Sequence, residues 1–311
     1  MPHLVAVDHQ RHATAGARPD LATFAAFAVA SLFAGGNAVA IRLGYAELAP
    51  FWGAAVRFLC AAAVLLVVVA VTRRELPRGR ALGGVMIFGV LNFGLFYMFM
   101  YWALTEVTAG TAMVVLAIVP LLTLVLAVVQ RVERFRVRGL VGALVAAAGV
   151  ALVFRDSIGL ASAWALLALL GGALSVAEVN IVIKQFPRVD PVVENGLGMA
   201  VGGALLLALS GVLGEAWAVP RETATTMSLL YLILFGSIGL FVLYLIVLNR
   251  WTATAASYVL LIAPLVTIVL GVAILDEPVS PSFLVGGALV LAGVYVGAFS
   301  ARGRSAPPGS R

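Results

Sequence analysis

Charge is scarce in this chain: Asp, Glu, Lys and Arg make up 11% of its 311 residues, against 63% hydrophobic residues. That leaves too little polar surface to coat a soluble globule, so lipid must solvate most of the fold. Lysine occurs once. Lys184 follows Ile183 and not glycine, which excludes a Walker A loop and ATP hydrolysis within the chain. The three histidines, His3, His9 and His12, precede the first apolar run, so no histidine is available inside a membrane for a catalytic dyad or a metal centre. All five aspartates fall in tails or connections, against an intramembrane aspartyl protease, and Gly236-Ser237-Ile238-Gly239 has the outline of a serine-enzyme motif with no base to serve it. The single cysteine, Cys60, excludes an intramolecular disulfide and a cysteine metal cluster, and its apolar surroundings read it as a small packed residue. No catalytic residue, no cofactor and no metal is expected, and the chain does not read as an enzyme.

What the sequence has in abundance is long apolar runs. About 20 apolar residues span a bilayer core, and runs of that length are expected at 21–43, 50–72, 81–104, 108–130, 138–154, 159–184, 192–214, 227–249, 252–275 and 281–301. The fold class is therefore an all-α integral membrane protein of ten transmembrane helices. The polar first twenty residues read as an uncleaved cytoplasmic tail, because the run that follows is longer than the apolar core of a signal peptide.

The basic residues are distributed unevenly. Of the twenty Lys and Arg residues, all except Arg42, Arg57, Arg155 and Arg221 lie in the two tails or in the even-numbered connections, where Arg73, Arg74, Arg78 and Arg80 form one cluster and Arg131, Arg134, Arg136 and Arg138 another. By the positive-inside rule both termini are expected in the cytoplasm. This placement explains the basic balance by topology and leaves no call for a nucleic-acid partner; the expected partners are the lipid bilayer and a small-molecule substrate.

The chain also resembles itself. Sliding it by 144 residues lays Thr108, Ala112, Pro120, Leu121 and Thr123 on identical residues from Thr252 to Thr267, Glu133 on Glu277, Gly142 on Gly286 and Gly149 on Gly293. With one residue of slippage Gly94-Leu95-Phe96 meets Gly239-Leu240-Phe241; further upstream Pro50 faces Pro191 and Gly36 faces Glu178. The organisation expected is a tail at 1–20, a five-helix repeat at 21–154, a second at 159–301 and a tail at 302–311. Five is odd, so the second repeat enters the membrane from the opposite side, the inverted-repeat arrangement of secondary transporters with a site between the halves.

The segment 103–153, with its small-residue helix start, mid-helix Pro120, basic cluster with Glu133, and Gly142 and Gly149, resembles the EamA domain of the drug/metabolite transporter superfamily. The second copy around Pro264, Asp276-Glu277-Pro278, Gly286 and Gly293 is similar, and Arg57-Phe58 also matches. Where the family often has Trp-Gly in the first helix, this chain has Ala34-Gly35-Gly36-Asn37. The resemblance implies a ten-helix exporter of amino acids or related metabolites in a cell inner membrane, with aromatic amino acid exporters as one branch. The alternatives are a broad-specificity multidrug exporter and a nontransporting scaffold or receptor; phosphate-bearing substrates fit poorly with so few intramembrane cations.

Candidate site residues are those whose chemistry is out of place in lipid. Glu178 is the deepest acid, and helical spacing puts Trp164, Gly171 and Ser175 near its face; a structural hydrogen bond is the alternative role. Asn37 and Asn92 are buried amides that either touch substrate or hold helices together. Arg57 either meets a carboxylate or snorkels to the surface. Phe96, Tyr97, Tyr101 and Trp102 in the third helix, with Tyr244 and Tyr258 in the other half, are candidates for an apolar cage, although rings near helix ends also serve as interfacial anchors. Pro120 and Pro264 are candidate hinges, each freeing the carbonyl four residues earlier. Gly293 with Gly297, and Gly142 with Ala146, are expected to pack the fifth and tenth helices within a monomer, a dimer seam being the alternative.

Overall fold

The computed structural model describes residues 21–131, 137–154, 160–250 and 259–296. Among them ten helices follow one another: α1 (Leu21–Gly44), α2 (Pro50–Val71), α3 (Arg80–Glu106), α4 (Ala109–Val129), α5 (Val137–Phe154), α6 (Leu160–Val182), α7 (Pro191–Val212), α8 (Thr223–Arg250), α9 (Val259–Leu275) and α10 (Pro281–Val294). Seven are long and apolar enough to cross a bilayer, and α5, α9 and α10 contain shorter apolar helices. The chain is an all-helical, multi-pass membrane protein. Tyr258, Trp251, Glu133 and Gly297 lie outside the described residues.

The helix ends follow from local chemistry. Proline opens α2, α7 and α10, where its missing N–H costs nothing. Asp190 accepts from Val192 N and Val193 N ahead of α7, and Ser280 accepts from Phe283 N ahead of α10. The closing turns of α2 and α7 are alike: Arg73 and Gly214 both take positive φ (52° and 68°), while Arg74 N reaches Val69 O and Glu215 N reaches Ser210 O at 3.0 Å each. Equivalent turns thereby deliver Arg74 and Glu215 to equivalent places.

Both then bind the start of the opposite helix. Glu215 accepts from Phe51 N and Trp52 N at the head of α2, and Arg74 holds Asp190, the cap of α7, at 2.7 Å. Burial alone would raise the Asp190 carboxyl, but Arg74 and the N–H groups of Val193 and Val192 hold it below the usual aspartate value. At the Glu215 end a second cross-repeat cap forms, where Glu47 accepts from Arg221 N and Glu222 N ahead of α8; those N–H groups, Glu222 first, hold the Glu47 carboxyl low.

The repeats pack on one another through matched pairs, α2 along α7 and α5 along α10. On α5 and α10 the backbones touch: a Cβ on Gly149 would meet Gly286 O at 2.6 Å, and one on Gly293 would meet Gly142 O at 2.6 Å. Small residues at these positions therefore pack two helices of one chain. Cys60 departs from its expected role, for its side chain lies exposed on α2 and is not packed. In a chain whose spans are apolar on every face, hydrophobic neighbours do not distinguish a lipid-facing position from a packed one.

Candidate functional site

Two helices lose their α-helical register in the middle. In α3 the segment Gly89–Leu95, and in α8 the segment Leu234–Gly239, are π-helical, and aligning Gly94 with Gly239 superposes them. A π turn widens the backbone and exposes carbonyls to outside donors. Gly236 O receives two, Nη2 of Arg57 at 3.0 Å and Nδ2 of Asn37 at 3.2 Å, and Nε of Arg57 donates to Ser237 Oγ at 3.0 Å. Only glycine fits at 236, since a Cβ there would lie 2.0 Å from Asn37 Oδ1. In the other half Leu91 O, the counterpart of Gly236 O, accepts from Ser175 Oγ at 2.8 Å.

Arg57 does not snorkel. Its side chain is fully buried, with the guanidinium 4.8 Å from the Phe58 ring centre and 5.1 Å from that of Tyr97. Phe58 and Tyr97 meet edge to face at 4.5 Å, and Phe96 and Tyr101 extend the aromatic row at 4.7 and 6.2 Å from Tyr97. Tyr101 is buried and its backbone carbonyl accepts from Tyr45 Oη. A small void lined by Tyr45, Tyr101, Ile41, Ser228 and Leu232 lies beside it, and a vestibule of about 470 Å³ opens next to that, bordered by Arg42, Tyr45, Glu47 and Thr105. The vestibule thus lies at the end of the bundle opposite the Arg73–Arg80 cluster.

The rim of that end is fastened by Glu277. Its carboxylate is buried, accepts from Ala109 N at 2.8 Å and Gly110 N at 3.3 Å, and pairs with Arg42 Nη1 at 3.2 Å, while the same Nη1 donates to Val107 O. An anion at the head of α4 is stabilised by the helix dipole, and Arg42 completes the neutralisation. Glu277 was visible in the sequence as half of a repeated pair and within Asp276-Glu277-Pro278 of the second repeat, but not as a site residue.

The structure brings some expected site residues together and leaves others apart. Asn37, Tyr97 and Tyr101 gather around Arg57, with Phe96 in the same aromatic row. Asn92 is half-buried inside the α3 π segment, one residue after the Ser175 contact. Glu178 is half-buried and accepts from Gln130 Nε2, at the end of α4, at 2.7 Å. Trp164, 62% exposed, and Trp102, 36% exposed, stand on the outer surface, and Tyr244 packs with Ala26, Phe27 and Val247. Pro120 opens the second segment of α4, which is broken between Leu116 and Val119, whereas Pro264 lies within an unbroken α9.

An all-helical membrane protein of two five-helix repeats, with a polar cluster between them and a vestibule above it, has the construction of a secondary transporter. The sequence profile of the EamA-like transporter family matches residues 22–155 and again 163–298, and the chain belongs to that family. It is 26% identical over 260 residues to the uncharacterized inner membrane transporter YedA of Escherichia coli, covering 82% of this chain and 84% of that one. It is 29% identical over 230 residues to a probable terminal-alkyne amino-acid exporter of Streptantibioticus cattleyicolor, covering 71% and 74%. Against a WAT1-related chloroplastic protein of Arabidopsis thaliana it is 27% identical over 262 residues, 79% of this chain and 62% of that longer one. The chain is a membrane transporter and not an enzyme.

Proposed function

We propose that this transporter exports small metabolites, amino acids foremost and aromatic or other hydrophobic ones among them, by alternating access between its repeats in a bacterial-type cytoplasmic membrane. The observation that carries the reading is the cluster of Asn37 and Arg57 from the first repeat against Gly236 and Ser237 of the second, with Tyr101 beside Arg57. Polar groups are costly inside a bilayer and concentrate where substrate passes. The aromatic row of Phe58, Tyr97 and Phe96 beside a single cation suits a zwitterion with an apolar side chain better than a multivalent anion. The name of the Streptantibioticus relative, a probable terminal-alkyne amino-acid exporter, agrees with this reading.

The distribution of arginines supports cytoplasmic termini, and with that orientation the vestibule would open to the outer face. Glu178, at the other end, then meets the substrate amine or a proton as cargo enters. Counterflow in liposomes containing the purified protein, run with a panel of the twenty amino acids, tests the reading. Exchange of apolar amino acids is expected; a protein that exchanges none of the panel overturns it.

A further inference from the structure

Arg57 is buried without a counter-charge. Among the described residues the ion pairs are Arg42 with Glu277 and Arg74 with Asp190, and none reaches Arg57, whose donors Nε and Nη2 are met by neutral oxygens. A guanidinium does not shed its proton to escape burial, and an unpaired buried charge is strongly destabilising. Its third nitrogen, Nη1, has no partner among the described residues.

The unmet hydrogen-bonding capacity converges at this point. Of the four buried side-chain polar atoms without a partner among the described residues, three are Arg57 Nη1, Tyr101 Oη and Asn37 Oδ1. Tyr101 Oη approaches the Arg57 guanidinium closely enough to interact with it as a hydrogen-bonding group, without closing a bond of full geometry, and Asn37 and Arg57 share the carbonyl of Gly236. The Asn37 amide has its orientation set by that carbonyl, which accepts only from its NH2 group, so the oxygen is the end left over.

From these contacts, and resting on the export reading above, we propose that this cluster is an amino-acid headgroup site. Arg57 Nη1 and Tyr101 Oη donate to a free α-carboxylate, Asn37 Oδ1 accepts from the α-ammonium, and the Phe58 and Tyr97 rings flank the side chain. The two donors and one acceptor match the two acceptor oxygens and the donor of the zwitterion, and the carboxylate supplies the charge that Arg57 lacks. Tyr101 also lines the small void beside the vestibule, so through this residue the cluster adjoins that void.

The test uses the full chain in liposomes with three probes sharing one side chain: L-leucine, L-leucinamide, which lacks the carboxylate, and 4-methylpentanoate, which lacks the amine. Each competes for counterflow of radiolabelled L-leucine. The wild type is expected to favour leucine over the amide and over the acid by about tenfold or more, the scale of one hydrogen bond to a charged group. Tyr101→Phe, which keeps the ring, should raise the half-saturating leucine concentration by about tenfold and narrow the preference over the amide; Asn37→Leu should narrow the preference over the acid. Arg57→Gln should abolish leucine exchange, and the two milder variants keep the test decisive if that one does not fold. Equal competition by leucine and its amide in the wild type, or an unaltered amide preference in Tyr101→Phe, overturns the headgroup site while leaving amino-acid export intact. If leucine and every other amino acid go unexchanged, the export reading fails and the headgroup site with it.

Discussion

Leu91 and Gly236 hold the same place in the two halves, each inside a π segment, and each carbonyl accepts a side-chain hydrogen bond from the first helix of the other repeat. Ser175 of α6 serves Leu91, and Asn37 of α1, joined by Arg57, serves Gly236. The π turns are thus two of the places where the repeats are bonded to one another inside the membrane, beside the contacts of Thr267 Oγ1 with Gly35 O and Tyr231 Oη with Phe33 O. Two neutral residues meet at Leu91, whereas a cation joins at Gly236, so the duplicated fold is chemically one-sided.

Removing the neutral donor should loosen the fold without changing selectivity. Ser175→Ala leaves Leu91 O unsatisfied in an apolar setting, at a cost of about 1–3 kcal/mol. A lower melting temperature in detergent is expected, with an unchanged order of amino-acid preference in liposomes.

Glu277 should matter more than any surface acid. Glu277→Ala strips Arg42 and the head of α4 of their shared anion, and breaking a buried pair from one side costs about 3–5 kcal/mol; the 31% exposure of the Arg42 side chain puts the expected loss at the lower end. Glu277→Gln keeps an acceptor for Ala109 N and should lose less. Thermal unfolding of Glu277→Ala, Arg42→Met and the double variant measures the coupling, which should be well above that of an exposed pair.

Much of this was legible in the sequence, and the part that was not has a physical reason. Helix ends were readable because Pro50, Pro191, Pro281, Asp190 and Ser280 have a chemistry that belongs at a helix start. The π segments were not, because a span that is apolar on every face carries no periodicity to slip. Helical spacing placed Trp164 and Ser175 on one stripe, but a stripe has different neighbours along its length: Ser175 meets α3, and Trp164 faces outward. Arg57 was undecided for a related reason, since an apolar neighbourhood in sequence suits both a snorkelling cation and a buried one. The partners that decide it, Gly236 and Ser237, lie in the other repeat.

The Arg74–Asp190 contact gives the fold an acid limit. The folded Asp190 carboxyl is held below its unfolded value, near 3.9 for a free aspartate, so its contribution is present above that pH and is lost as pH falls through the lower folded value. Melting temperature measured from pH 7 down to pH 3 should fall, and Asp190→Asn should start lower and fall less. Identical slopes in the two proteins would show that this carboxylate is not among the groups responsible.

Glu178 offers a clean separation of charge from packing. Gln130 donates to its Oε2, and glutamine at 178 retains an acceptor oxygen for that bond, so Glu178→Gln should melt like the wild type. If the charge meets substrate or a proton, exchange should fall strongly. Wild-type exchange by Glu178→Gln would leave the residue as a tie between α6 and α4.

The prolines make the last test, because the two copies differ in shape. Thr123 Oγ1 donates to Val119 O in α4, and its counterpart Thr267 Oγ1 donates to Ala263 O in α9, the same back-bond four residues earlier in each. Only Thr267 also reaches the first helix of the opposite sequence half, at Gly35 O, 2.6 Å away. The docked copy is continuous through Pro264, while the undocked copy is broken just before Pro120. If the inverted repeats exchange roles during a cycle, each must pass through both shapes, and proline would permit this by withholding the amide that would tie each helix to the carbonyl four residues back, Leu116 or Leu260. Pro120→Ala and Pro264→Ala restore that amide. Both variants should insert and melt at or above the wild-type temperature, yet exchange more slowly, and the double variant should be slowest. Wild-type rates in all three would mean that the prolines are static bends and that the difference between α4 and α9 is fixed in the fold.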